Sequence, residues 1–335
     1  MQILQSLDEE RWRRFVESQP AGNIFHTPEI FQVLAQTRGH RPALWAAVQE
    51  DGQILALLLP VQITLIAGPL RRLTTRAVAY GGVLYDPSPA GHEALGALLR
   101  GYTQKTGREA LFTELRNLSD VSAVRPLLEE CGFVHADHLN YLIDLKRPPE
   151  AIFKSIGHRT RKNIRHALNQ GQVSITEVQD REQLSICYGL LHQTYQAAHV
   201  PLADRSLFQA AFDVLYPKGM ARFTLACVGQ APAATSVELL YKDVMYGWYG
   251  GVDRAYSSYM PNELLMWHIL QWGAERGYRL YDFGGAGNPD QEYGVRDFKA
   301  KFGGELVSFG RNTCVHAPTL LGLSELGYRI LRRLF

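Results

Sequence analysis

With 335 residues the chain is too long for one ordinary core and suits two domains of about 100–200 residues each. Hydrophobic residues at 46% and aromatic residues at 10% describe a packed globular protein and exclude a disordered or low-complexity one. A net charge of only +2 excludes bulk electrostatic attraction to nucleic acid; any anionic partner has to be met by a local patch, and no DNA partner is expected.

At the N-terminus, Asp8, Glu9 and Glu10 stand where a secretory signal needs an apolar core. The four cysteines (Cys131, Cys187, Cys227, Cys314) are scattered without a C-x-x-C pair, which suits buried thiols in a reducing compartment. Together these features predict a cytoplasmic protein. The longest apolar run, Ile54 to Leu70, is broken by Pro60, Gln62, Thr64, Gly68 and Pro69, and reads as paired buried strands, not a membrane span. His135 and His138 have no nearby carboxylate besides Asp137, so no metal site is expected.

The tetrapeptide Tyr-Gly-Gly-Val occurs at Tyr80–Val83 and again at Tyr249–Val252, 169 residues later. The same offset carries the helical pattern after Glu93 onto that after Asn262, and the strand Ala110-Leu-Phe-Thr-Glu onto Arg279-Leu-Tyr-Asp-Phe. A strand pair precedes each copy, with turns at Asp51-Gly52 and Gly229-Gln230. Equal spacing of strand, helix and strand marks two copies of one β–β–β–helix–β unit. The expected fold is α/β (α+β), with mixed, largely antiparallel sheets and helices packed on them. The paired prolines of Lys146-Arg-Pro-Pro-Glu stop a strand and place the boundary there. The expected domains are 1–146 and 147–316, followed by an amphipathic helix over 317–335.

Past the boundary, residues 151–176 contain no acid but hold Lys154, Arg159, Arg161, Lys162 and Arg165. Arg161 and Arg165 share a helix face, Ile164 and Leu168 form the predicted buried stripe, and Gly171 is a helix-ending glycine. Uncompensated like charges destabilise a helix, so phosphate or an RNA backbone is the expected counter-charge.

Two units of this kind resemble the acetyltransferase (GNAT) fold. That fold holds coenzyme A pyrophosphate in a loop of pattern R/Q-x-x-G-x-G/A before a helix. Here the corresponding Arg254-Ala-Tyr-Ser-Ser-Tyr keeps the arginine but has Ser257 and Tyr259 in place of glycines. Three stretches carry a sharper resemblance, to the Fem aminoacyltransferases: Asn23-Ile-Phe-His-Thr-Pro-Glu-Ile, Arg159-Thr-Arg-Lys-Asn-Ile-Arg-His-Ala-Leu-Asn-Gln-Gly, and the closing Gly294-Val-Arg-Asp-Phe-Lys-Ala-Lys-Phe-Gly-Gly-Glu. The resemblance implies tandem GNAT-like domains, with the second catalytic. The activity it implies is transfer of an amino acid from aminoacyl-tRNA to the stem-peptide amine of a peptidoglycan precursor, UDP-linked or lipid-linked. No separate cofactor is implied: aminoacyl-tRNA is the expected donor, ahead of acyl-CoA. It also implies that the C-terminal segment packs back on the first domain.

On this resemblance Lys299 is the family's lysine and stabilises the oxyanion or the departing ribose hydroxyl, while Phe298 walls the channel. Arg296 and Lys301 flank it; on a strand Lys301 faces the same side as Lys299. Asp282 either accepts the amine proton or orients the glycine loop. Trp248 and Tyr249 line the cleft or fill the core, with Tyr195 in the segment Thr194-Tyr-Gln-Ala-Ala-His, where Fem proteins usually show an arginine. Arg38 and Arg41 are the first-domain candidates for substrate contact. Arg159, Arg161 and Arg165 are those of the basic helix. The tail, with Arg329, Arg332 and Arg333, docks on the first domain or touches an anionic membrane. Two other readings stay open: an N-acyltransferase of the same fold acting in envelope or exopolysaccharide modification, and a non-catalytic duplicated binding module.

Overall fold

A computed structural model describes the whole chain except Ala67, Gly107, Arg108 and Phe335; the side chains of Glu325 and of residues 328–334 also lie outside the described set, and with them the tail arginines Arg329, Arg332 and Arg333. Two compact units result: Met1–Asp137 with Phe309–Phe335, and His138–Ser308.

The first unit holds two sheets. One orders Gln2–Leu4, Trp45–Val48, Ile54–Leu58 and Leu84–Tyr85; the other orders His40–Pro42, Val61–Thr64, Thr75–Gly81, Phe112–Asn117, Arg311–Val315 and Val134–Ala136. The helix Pro89–Thr106 packs on them through Ala94, Leu95, Leu98, Leu99 and Tyr102, which recur at helical spacing and are buried. Burying each such leucine contributes about 1.5–3 kcal/mol. The apolar run from Ile54 forms strands as far as Thr64, but Leu65, Ile66 and Leu70 are exposed, so its last third does not join the core. Helix Pro318–Leu334 belongs to this unit, and Ser324 Oγ donates to the Leu73 carbonyl at 2.7 Å.

The second unit is one seven-stranded sheet: Val173–Glu177, Ala221–Val228, Ala231–Tyr241, Val244–Val252, Leu280–Gly285, Leu139–Asp144 and Glu305–Ser308. Only Val244–Val252 and Leu280–Gly285 run parallel; every other neighbour is antiparallel. Helix Pro261–Glu275 covers one face and approaches closely at Gly273, where an added Cβ would lie 2.4 Å from the Met245 sulfur.

The duplication is visible in the registers. The parallel pair of the first unit contains Ala77↔Thr113, and that of the second contains Tyr246↔Asp282, each residue shifted by 169. Leu139–Asp144 sits in the second unit's sheet beside Leu280–Gly285, and its counterpart Arg311–Val315 sits in the first unit's sheet beside Phe112–Asn117. Each half of the sequence therefore lends its last strand to the other half's sheet. The expected boundary at 146/147 comes just after the first of these strands, whereas the compact units divide just before it.

The repeated tetrapeptide serves two different needs. Gly81 and Gly82 adopt φ of +82° and +76°, a left-handed turn that glycine alone enters without strain. Gly251 instead lets helix Arg181–Ala197 come close, since a Cβ there would stand 2.9 Å from the backbone of Leu190 and Leu191.

Candidate active site

In the first unit the parallel pair stays joined from Ala77↔Thr113 to Gly81↔Asn117. In the second the same ladder stops at Tyr246↔Asp282, and beyond it Gly247–Tyr249 and Phe283–Gly285 are no longer ladder partners. Beyond this point backbone groups of Gly247–Tyr249 that pointed at the neighbouring strand can face a ligand instead. The opened pair belongs to the second unit alone.

A β-bulge shapes one wall of this opening. Val237 faces Tyr249 and Glu238 faces Gly247, so Trp248 is an extra residue in its strand. A bulge breaks strict alternation and re-aims side chains. Trp248 and Tyr249 accordingly both meet Phe208 of helix Arg205–Val214, with ring centroids 6.1 and 4.8 Å apart. Tyr195 adds a fourth ring, 5.8 Å from Tyr249. Burial pushes the Tyr195 phenol up to about 12, with a smaller contribution from Tyr293. Thr194 fixes this corner: its hydroxyl accepts from Val252 N at 2.8 Å and donates to Val252 O at 3.1 Å.

The opposite wall is the glycine-rich loop after Leu280–Gly285. Gly284 and Gly287 take φ of +68° and +80° and turn the chain back. The helix Gly294–Ala300 then holds the loop by its carbonyls. Lys299 Nζ donates to Phe283 O at 2.5 Å, Gly284 O at 3.2 Å and Gly285 O at 2.9 Å. Arg296 donates to Ala286 O at 2.9 Å, Pro289 O at 3.3 Å, Gln291 O at 2.8 Å, and Asn288 O. Two cations three residues apart on one helix thus gather seven carbonyls of the strand end and the loop that follows it.

Asp282 completes the arrangement. It is buried and accepts from Gly284 N at 2.7 Å and Asn140 Nδ2 at 3.1 Å. Burial raises its carboxyl to about 6, against the lowering effect of those donors and of Lys299. Burial likewise lowers Lys299 to about 8, opposed by Asp282. Burial opposes the charge on each group, and each favours the other's charged state.

The segment before helix Pro261–Glu275 is closed upon itself. Arg254–Tyr259 is a 3-10 turn in which Ala255 N donates to Asp253 Oδ1 at 2.9 Å, Tyr256 N to Asp253 O at 3.2 Å and Met260 N to Ser257 O at 3.1 Å. Pro261 supplies no amide at the first helical position. Glu263 places a carboxylate in the first turn, where its charge opposes a phosphate. Three amides of this segment are thus committed within it, and the helix start adds neither an amide nor a favourable charge for a pyrophosphate.

Comparison with known proteins agrees with this geometry. The acetyltransferase (GNAT) domain family matches residues 154–299, so the second unit carries a GNAT acyltransferase domain. FemX superimposes with a TM-score of 0.74 at 18% identity, over 96% of this chain and 99% of that one. This is a Fem-like tandem GNAT fold. A tandem GNAT protein from the clavulanic acid biosynthesis pathway matches with a TM-score of 0.58 at 13% identity, over 94% of this chain and 98% of that one. So does the C-terminal domain of a putative lysylphosphatidylglycerol synthetase from Agrobacterium fabrum, with a TM-score of 0.57 at 15% identity over 94% and 93%. No curated protein matches the chain. The expectation of two acetyltransferase-like domains with mixed sheets holds.

Within the tandem GNAT fold the sequence candidates fall into separate groups. Asp282, Arg296 and Lys299 converge on the glycine loop, and Tyr195, Trp248 and Tyr249 on the aromatic wall. Phe298 packs on Phe302, with centroids 5.2 Å apart. Lys301 does not share a side with Lys299, because the segment is a helix and not a strand; its Nζ lies 3.6 Å from Glu263 and 5.4 Å from the Phe298 ring centroid. On helix His158–Gln170, Arg159 is exposed, Arg161 donates to Lys154 O, and Arg165 lies 5.2 Å from the Phe153 ring centroid. Leu168 is 55% exposed, and the buried stripe consists of Thr160, Ile164 and Ala167. Arg38 and Arg41 are exposed in the first unit.

Sequence reasoning passed over Glu238, whose signal was a lone acid inside an otherwise uncharged strand. It is fully buried opposite Gly247, bonded to Ser236, with Oε2 unpartnered. Arg222, its neighbour across the sheet, bonds Glu177 at 3.1 Å and lies 4.3 Å from the Trp272 ring centroid. Burial raises Glu238 from its ordinary 4.5 to about 7. Between these values the folded state holds a proton that the unfolded state has released, so stability is expected to fall as pH rises from about 4.5 to 7, by on the order of 2–3 kcal/mol. Urea unfolding at pH 5 and pH 8 should show this slope in the native chain and lose it in Glu238→Gln, which gains stability above pH 7. An identical slope in the variant contradicts the assignment.

Proposed function

We propose that this chain transfers an amino acid from aminoacyl-tRNA to the stem-peptide amine of a peptidoglycan precursor, working in the cytoplasm where charged tRNA is found. The observation that carries this reading is the conjunction of a parallel pair that parts after Tyr246↔Asp282 with a following turn poorly suited to pyrophosphate. The ladder between Val244–Val252 and Leu280–Gly285 ends at Tyr246↔Asp282, while the turn 254–259 has serine and tyrosine where a coenzyme A loop has glycines and is followed by Pro261 and Glu263, which offer a pyrophosphate neither an amide nor a favourable charge. The similarity to FemX supports the same donor class.

In the proposed reaction the amine nitrogen bonds the ester carbonyl carbon, and an oxyanion develops. Collapse expels the ribose oxygen, which takes up the proton given up by the amine. The three hydrogens of Lys299 Nζ are already directed at three carbonyls, so the lysine acts by fixing the loop that forms one wall. Backbone amides along the parted edge Gly247–Tyr249 are the donors for the oxyanion. Trp248 and Tyr249 offer flat faces for a terminal nucleobase. Arg159 and Lys162, both exposed, suit the RNA backbone.

Thermal unfolding with candidate ligands tests the reading. Aminoacyl-tRNA and UDP-muropeptide are each expected to raise the midpoint and acyl-CoA to leave it unchanged. A shift with acyl-CoA alone would favour a GNAT-type N-acyltransferase of envelope or exopolysaccharide modification, the alternative that the domain match supports equally.

A further inference from the structure

Toward the end of the apolar run that the sequence suggested as buried strand, Leu65, Ile66 and Leu70 lie on the surface. Leu65 is 68% exposed and Leu70 53%, with Ile66 between them also exposed. The short helix Arg71–Thr74 follows directly, and helix Pro318–Leu334 packs against it, tied by the bond from Ser324 to Leu73. That second helix adds Leu323 and Leu326, 55% and 50% exposed. Five large aliphatic side chains on two adjoining segments are more than the scattered single leucines a surface ordinarily shows.

Both segments are basic in sequence. No acid occurs between Asp51 and Asp86, while Arg71, Arg72 and Arg76 are exposed. In the sequence of helix Pro318–Leu334, Glu325 is the single acid against Arg329, Arg332 and Arg333. Among the described residues no helix is long and apolar enough to cross a membrane.

We propose that this face of the first unit, built from the segment 65–76 and the helix Pro318–Leu334, docks on an anionic lipid surface. Aliphatic side chains enter the boundary between headgroups and acyl chains while arginines meet lipid phosphates. RNA would supply the same phosphates, but offers no apolar layer for Leu65, Leu70 and Leu323. The inference rests on the first unit's surface and does not depend on the transfer reaction.

Co-sedimentation of the full chain tests it, with vesicles of phosphatidylcholine alone and of phosphatidylcholine mixed with phosphatidylglycerol. Binding is expected to the mixed vesicles, weakening as salt is raised, and at least about ten-fold weaker to the neutral ones. Reversing Arg71 and Arg72 (Arg71→Glu with Arg72→Glu) should weaken binding about five-fold per residue. Leu65→Asp with Leu70→Asp should abolish it, with the thermal midpoint unchanged and transfer to a soluble UDP-linked acceptor unaffected. Equal binding to both vesicle types, or to neither, overturns the proposal. It is also overturned if the leucine variant instead dissolves a concentration-dependent dimer, or if the arginine variant loses tRNA binding while vesicle binding persists.

Discussion

Replacing Lys299 with alanine is expected to lower transfer at least about 100-fold, the loss that accompanies a misplacement of about 1 Å at a reacting centre. The reason is geometric. One ammonium group supplies three consecutive carbonyls of the loop that forms a wall of the cleft, at 2.5, 3.2 and 2.9 Å. Hydrogen bonds from a charged donor contribute about 1.5–3 kcal/mol each, but burying the ammonium offsets much of the sum. A net destabilisation of about 2 kcal/mol is expected, with faster amide exchange over residues 283–291 and unchanged exchange in the first unit's sheets. Lys299→Arg should not restore activity, since a planar guanidinium cannot direct its hydrogens at three carbonyls around one point. Loss of activity with an unaltered loop would mean that Lys299 acts on the substrate directly.

The second large effect is expected at Asp282. Alanine there leaves the Gly284 amide and the Asn140 side chain without their acceptor and deprives Lys299 of its nearby counter-charge. Removing one member of a buried charged set costs about 3–5 kcal/mol, so Asp282→Ala is expected to fold poorly. Asparagine is the informative variant, because its oxygen can still accept from Gly284. If Asp282 orients the loop, Asp282→Asn keeps activity within about ten-fold of the native chain; if it removes the amine proton, the loss reaches about 10²–10⁴-fold. Denaturant unfolding of both variants, alongside their rates, separates the two roles.

Much of this architecture was legible because local patterns and long-range structure agree. The 169-residue offset, read from one repeated tetrapeptide, reappears as identical register in both parallel pairs. What the pattern could not carry were features set by tertiary context. The segment 294–300 is a short helix and not a strand, which moves Lys301 away from Lys299 and toward Glu263. The bulge at Trp248 breaks the period-2 rule from which opposite faces would be inferred for Trp248 and Tyr249. The exchanged strands 139–144 and 311–315 are ordinary strands locally, and only pairing reveals which sheet receives them. Glu238 shows the converse: a buried acid is improbable by composition alone, and its position opposite Gly247 appears only when the sheet is assembled.

If the second unit takes an amino acid from tRNA, as proposed, a single incubation will show it. The purified chain is mixed with a fully aminoacylated tRNA pool and a UDP-linked muropeptide, and the precursor is weighed by mass spectrometry. The expected product is a precursor heavier by one aminoacyl residue, with matching tRNA deacylation that is lost in Lys299→Ala. An unmodified precursor, together with acyl-CoA consumption that proceeds regardless of tRNA, would contradict it.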